Sequence, residues 1–314
     1  MGQRSVRREN GGMQSTAFIV FYSAASSCTE PAGLRSTLAA AGHEVISESF
    51  FGGPGRTGAR WEVSGTVRQL RALTNPLDDR LAASTDPELY GAAIAVVPAE
   101  LVRAKKLLLV MDVDSTLIKQ EVIELLAAHA GREAEVAAVT ESAMRGEIDF
   151  AQSLHSRVQV LAGLGTEVID AVRGTLELSD GAAELVAAFK AAGHHVAVVS
   201  GGFAQVLGPL AAELDLDFAR ANDLDIAAGR LTGLVNGTVV DRAFKEVMLR
   251  TWAAELGIEM EHTIAAGDGA NDLDMLGAAG LGVAFNAKPL LRAAADARID
   301  LPRLDIIANL VGIS

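Results

Sequence analysis

Two hydrophobic periods alternate along this chain, and the points where one gives way to the other mark its elements. Residues 1–14 show neither: Gly2, Gly11 and Gly12 stand among Arg4, Arg7, Arg8 and Glu9, so the stretch reads as a disordered tail, with Met13 a candidate start. From Thr16 the pattern predicts a strand over 17–22, a helix over 31–41, a strand over 43–50 and a glycine-rich turn over 52–58. A strand over 60–64, a helix over 66–80 and a strand over 92–97 follow. That βαββαβ order is ferredoxin-like and sets off residues 15–100 as an α+β domain.

An unbroken apolar run, Leu107-Leu108-Leu109-Val110-Met111, then ends in Asp112-Val113-Asp114-Ser115-Thr116. Such a run reads as a strand buried on both faces, whose end delivers the acids into a crevice. Two aspartates one residue apart point to opposite sides of a regular strand, so both serve one site only if the chain leaves the strand there. Residues 119–178 carry helical spacing without a strand, over 121–130, 132–145, 150–161 and 167–176. Alternation resumes with helix 181–192, strand 195–200, helix 203–214, strands within 218–240, helix 242–256, strand 263–267, helix 271–278, strand 281–285 and a final helical region. Residues 101–314 are therefore expected to be α/β, a doubly wound parallel sheet with a helical cap at about 119–178 inserted after the first strand. A fragment starting near Leu101 is expected to fold on its own core.

The 314 residues, 50% of them hydrophobic, leave room for two such domains. With 27 basic against 40 acidic residues the chain carries a net charge of −13, which argues against nucleic acid or an anionic membrane as partner. No segment approaches the ~18 unbroken apolar residues of a membrane span. The arginines before residues 17–22 imitate a signal peptide, but the apolar part is short and gives way to Tyr22-Ser23. The single cysteine, Cys28, excludes an intrachain disulfide and fits a reducing, cytoplasmic setting. An acidic protein that handles an anionic substrate must build a local positive site, most cheaply with a metal ion.

Three further features bear on where that site lies. Strand 195–199 runs into Ser200-Gly201-Gly202, a hydroxyl followed by glycines that let an anion approach backbone N–H groups. Strand 263–266 runs into Gly267-Asp268-Gly269-Ala270-Asn271-Asp272, and Lys245 stands in the helix between them. Each alone has an ordinary explanation as a turn, a loop or a solvated helix face. Their occurrence together with an Asp-x-Asp strand end argues for one site.

With these motifs the chain resembles, from about Lys105 to its C-terminus, the haloacid-dehalogenase superfamily of aspartyl phosphatases. In the cap it resembles the branch that hydrolyses O-phospho-L-serine in the last step of serine biosynthesis. The resemblance implies Asp112 as nucleophile, Asp114 as general acid and then base, and Lys245, Ser200, Gly201 and Asn271 around the phosphate, with Asp272 in support. It implies Mg²⁺ held by Asp112, Asp268 and the backbone carbonyl of Asp114. It also implies Glu121 on the substrate ammonium and Arg157 on its carboxylate, with Met144 and Phe150 beside them. By spacing alone Glu121 and Arg157 are ordinary exposed charges on cap helices. Residues 15–100 resemble ACT-type amino-acid-sensing domains, and a structural or homodimer-forming role outweighs a sensor there. The competing readings are a phosphatase or phosphotransferase for another small phosphomonoester, differing in the cap; a receiver-type signalling protein, which Asp114 and the cap oppose; and a non-catalytic amino-acid-binding protein resting on residues 15–100.

Overall fold

Eleven strands in two sheets make up the framework of the computed structural model, which describes residues 15–144 and 149–313 apart from the side chains of Glu88, residues 141–144 and Phe150. The tail expected over 1–14 lies outside the described residues. The first sheet contains β1 (Thr16–Ser23), β2 (Val45–Gly53), β3 (Arg56–Ser64) and β4 (Ala93–Pro98), antiparallel throughout in the order β2-β3-β1-β4. With helices Leu34–Ala40 and Val67–Ala82 on one face, this is the ferredoxin-like arrangement. Strand period 2 divides its side chains. Ile19, Phe21, Trp61, Val63 and Val96 pack under the helices with Leu34, Leu38 and Leu70. Val20, Tyr22, Ala93, Ala95 and Val97 face the opposite way.

The second sheet contains β5 (Leu108–Met111), β6 (His195–Phe203), β7 (Phe218–Ala227), β8 (Arg230–Asn236), β9 (Thr263–Gly267), β10 (Leu281–Phe285) and β11 (Ala297–Ile299), in the order β11-β10-β9-β5-β6-β7-β8. All its pairs are parallel except β7 with β8. All four residues of β5 are buried, and it lies between β9 and β6, so the Asp112 end emerges at the middle of the sheet. Two details depart from the sequence pattern. The final region, expected to be helical, contains β11, whose three residues are too few to show a period. The stretch 218–240 closes the sheet with an antiparallel hairpin.

Four helices, Val122–Ala130, Glu133–Met144, Phe150–Gln159 and Glu167–Arg173, lie between β5 and β6 in sequence. Their two connections to the sheet are tied together: Ile118 bridges Leu178, the Lys119 N–H donates to the Glu177 carbonyl and the Ser179 N–H to the Leu117 carbonyl, both at 2.9 Å. The β7–β8 hairpin holds the far side, where the Gly163 N–H donates to Leu231 (2.8 Å) and the Thr166 N–H to Gly229 (3.0 Å). The helical cap is thus braced at two places above the strand ends.

Residues from Leu101 onward have an apolar cluster of their own, with Leu108, Val110, Leu249, Trp252 and Met275, and share a second cluster with the first sheet. Val20, Tyr22, Ala93, Ala95 and Val97 belong to one continuous apolar cluster with Leu107, Ile299, Leu301, Leu304 and Ile307. The second face of the first sheet is therefore the cover of the second domain's β11 side. Polar contacts cross the same seam: Arg298 of β11 reaches Asp78 with Nε (2.7 Å) and Nη2 (2.8 Å), the Tyr22 hydroxyl donates to the Arg298 carbonyl, and Arg56 pairs with Asp305 at 2.7 Å.

Candidate active site

The chain leaves β5 where the sequence requires it to. Asp112 still pairs through its N–H with the Ala266 carbonyl at 2.9 Å, but Ser115 turns into the left-handed region at φ 57°. That turn folds the residues after it back, with the Ile118 N–H donating to the Val113 carbonyl at 3.0 Å. The two carboxylates then take different partners. Asp112 Oδ1 accepts from its neighbour's Val113 N–H (2.7 Å) and from Lys245 Nζ (2.8 Å). Asp114 accepts from the Val122 N–H (2.8 Å) and the Ser200 hydroxyl (2.8 Å).

Lys245 approaches Asp112 from behind. Helix Arg242–Leu256 is started by Asp241, whose side chain accepts from the Phe244 N–H at 2.8 Å, and this fixes Lys245 in the first turn. Lys245 is fully buried and also bonds Asp272 Oδ1 at 2.7 Å. Burial opposes its charge, yet Asp112 and Asp272 outweigh that and hold the ammonium above its ordinary value. The second oxygen of Asp272 accepts from the Gly269 N–H (3.1 Å), and a side chain at Gly267 would come within 2.4 Å of the Asp272 carboxylate. Gly267 is there to admit that carboxylate.

Burial and mutual repulsion shape the remaining acids. Asp114 is pushed up to about 7 by burial, with Glu121 and Asp112 adding to it. Asp268 is pushed up to about 6 by burial and by Asp112. Glu121, held by the Ser115 hydroxyl at 2.7 Å, is raised mainly by burial, while burial lowers Arg157 against the pull of Glu121 and Asp114.

A cavity of about 400 Å³ opens between the strand ends and the cap. The sheet side supplies Asp112, Asp114, Gly201, Gly202, Asp268 and Asn271; the cap side supplies Glu121, Ile123, Thr140, Ser153, Leu154 and Arg157. Residues more than a hundred positions apart in sequence thus face one space. Lys245, Ser200 and Asp272 stand directly behind this lining. Ser200 Oγ, expected on the phosphate, here bonds Asp114 and accepts from the Gly202 N–H at 2.7 Å. The side chains of Met144 and Phe150 lie outside the described residues; their backbones end one cap helix and begin the next.

Two residues of this region went unread in the sequence. Asn222 of β7 is buried, donates to the Gly201 carbonyl and accepts from the Val240 N–H, both at 2.8 Å, which fixes the peptide joining the two glycines. Arg220, Asp223 and Asp225 make the rest of β7 polar as well, so no local signal marks Asn222 out. Lys288 lines the cavity just beyond β10, at a fourth strand end with the same polar pattern, Asn286-Ala287-Lys288.

The donor set suits a hard cation. Among the described residues, one oxygen each of Asp112, Asp268 and Asp272 lies within 4.8 Å of the others, an oxygen-only group of the kind Mg²⁺ or Ca²⁺ takes. Both oxygens of Asp272 are engaged by Lys245 and Gly269, which leaves Asp112 and Asp268 best placed to hold an ion.

The fold is that of a capped α/β hydrolase, with the carboxylates gathered at the strand ends beneath the cap. The family model of haloacid dehalogenase-like hydrolases matches residues 109–277, more than half of the chain, and the chain belongs to that family. It is 56% identical over 241 residues to the phosphoserine phosphatase of Streptomyces coelicolor, an alignment covering 77% of this chain and 58% of that one. This chain therefore spans a little over half the length of that relative. It is 48% identical to the phosphoserine phosphatase of Streptococcus thermophilus, over 63% of this chain and 92% of the relative. Among solved structures, the phospho-aspartyl intermediate analogue of a phosphoserine phosphatase superposes with a TM-score of 0.62 at 41% identity, over 66% of this chain and 99% of that one.

Proposed function

We propose that the chain is a cytoplasmic, Mg²⁺-dependent phosphoserine phosphatase, which hydrolyses O-phospho-L-serine to L-serine and phosphate at the end of serine biosynthesis. One observation carries this reading: a single cavity is lined by the Asp112–Asp114 pair and by the opposite charges of Glu121 and Arg157. A phosphate, an ammonium and a carboxylate on one small molecule match those three places. The names of the relatives point the same way, and the single cysteine fits the compartment.

Asp112 Oδ1 is occupied by Val113 and Lys245, so Oδ2 is the oxygen available to attack phosphorus. The P–O bond to the seryl oxygen breaks as the new P–O bond forms, and Asp114, its carboxyl raised to about 7, delivers its proton to the departing oxygen. In the second half Asp114 takes a proton from water, whose oxygen bonds to phosphorus and releases Asp112. Lys245 offsets the charge on Asp112, while the Gly201 and Gly202 peptides and Asn271 face the phosphate. Asp112 and Asp268 would hold a Mg²⁺, which would supply positive charge against the phosphate oxygens. Thorough chelation is accordingly expected to remove turnover, with recovery on adding Mg²⁺; undiminished activity after chelation contradicts the metal assignment.

The substrate assignment is tested by comparing kcat/KM for phosphoserine and phosphoethanolamine. A charge-assisted bond from Arg157 to the substrate carboxylate contributes about 1.5–3 kcal/mol, so Arg157→Ala should cost phosphoserine roughly one to two orders of magnitude. Phosphoethanolamine has no carboxylate and should be nearly indifferent to the change. Equal losses on both would make Arg157 a support of the cap and favour another small phosphomonoester as substrate.

A further inference from the structure

Lys288 remains without a place in the scheme above. The cavity lining contains four carboxylates, Asp112, Asp114, Glu121 and Asp268, against two cations, Arg157 and Lys288. A phosphomonoester dianion entering this space meets repulsion, in a chain whose net charge is already −13. Lys245 cannot receive it at the entrance, because its ammonium is fully buried and bonded to Asp112 and Asp272. Arg157 sits on the cap, where the substrate carboxylate is assigned. The sheet side of the entrance is left with Lys288.

Its geometry is that of a fixed base with a free head. The Lys288 N–H donates to the Asp268 carbonyl at 2.9 Å, its backbone is extended, and Pro289 follows at the first position of helix Pro289–Ala294. The preceding Asn286 N–H donates to Ile299 at 2.8 Å. The Cα of Lys288 is therefore pinned beside Asp268. The side chain is 60% exposed, and Nζ stands 3.7 Å from Asp268 Oδ2, within ion-pair range but beyond a hydrogen bond. A contact of this kind at an exposed position is weak, so an arriving phosphate can draw the ammonium away from Asp268 at little cost.

We propose that Lys288 is a further phosphate-contacting residue, which receives the incoming phosphomonoester at the cavity entrance and holds inorganic phosphate after hydrolysis. This rests on the phosphatase reading but not on serine as the leaving group, since the contact is to phosphate alone. A residue that only balanced the charge of Asp268 would act on the metal site instead, which separates the two roles.

The experiment is titration of orthophosphate, in saturating Mg²⁺ and at two ionic strengths, into the full-length protein and its Lys288→Gln and Lys288→Arg variants. Loss of one charge-assisted contact should weaken orthophosphate about tenfold in Lys288→Gln and flatten the salt dependence, with Lys288→Arg restoring most of both. In turnover Lys288→Gln should lower kcat/KM about tenfold with kcat within about twofold. The proposal is overturned if orthophosphate affinity is unchanged, or if kcat and the Mg²⁺ requirement shift while phosphate affinity does not. Because the titration needs no substrate, a wild type that binds orthophosphate through Lys288 yet ignores phosphoserine would defeat the substrate assignment and leave this proposal standing.

Discussion

Asparagine at position 112 is expected to abolish phosphoenzyme formation and to cut kcat by roughly four to six orders of magnitude, the scale on which removal of a covalent nucleophile acts. The amide matches the carboxylate in shape and its Oδ1 can still accept from Val113 and Lys245, so the fold around β5 is retained. What disappears is the anionic Oδ2. Asp114→Asn should behave differently: attack slows because no proton reaches the leaving oxygen, and whatever phosphoenzyme forms persists because no base activates water. Rapid-quench trapping with radiolabelled phosphoserine distinguishes the two, with no protein-bound label in the first variant and slow but long-lived label in the second. Near wild-type turnover in Asp112→Asn would place the nucleophile elsewhere.

Much of this site is legible in the amino-acid sequence because its residues sit at strand ends, where an apolar run followed by acids or glycines is a local signal. Asp112, Asp114, Ser200, Gly201 and Asp268 all have that form, and parallel strands carry such ends to a common edge. Lys288 has it too, after β10, but a lone lysine before proline reads as a helix start. Glu121 and Arg157 differ in kind. Their spacing is that of any charged helix face, and only the closure of the cap, pinned by Ile118–Leu178 and by the β7–β8 hairpin, aims them into the cavity. The seam between the sheets was illegible for a related reason. Alternation along β1 and β4 reveals two apolar faces without naming the partner of the second, and β11, which receives it, is three residues long.

That seam carries the other large expected effect. Arg298 has an 8% exposed side chain whose Nε and Nη2 bond both carboxylate oxygens of Asp78, while Nη2 also meets the Asp78 and Ala92 carbonyls. Asp78 in turn accepts from the Ile94 N–H at 2.6 Å, tying helix Val67–Ala82 to β4 and β11 at one point. Removing Asp78 takes away the carboxylate that both Nε and Nη2 of Arg298 bond but leaves Asp300 on Nη1, so the cost is about 2–3 kcal/mol, below the roughly 3–5 kcal/mol of a buried charge left with no counterpart. Asp78→Ala is therefore expected to lower the unfolding free energy by about that amount in urea titrations. Turnover below the transition should be nearly unchanged, since Asp78 does not line the catalytic cavity. Replacing both partners with apolar residues, Asp78→Leu with Arg298→Met, should recover part of the loss because the buried guanidinium that lost Asp78 is then gone as well. A single-mutant loss under about 1 kcal/mol would mean that water reaches Arg298 and that the seam is held by the apolar contacts of Val20, Ala93, Ala95 and Val97 and by the remaining polar pairs such as Arg56–Asp305.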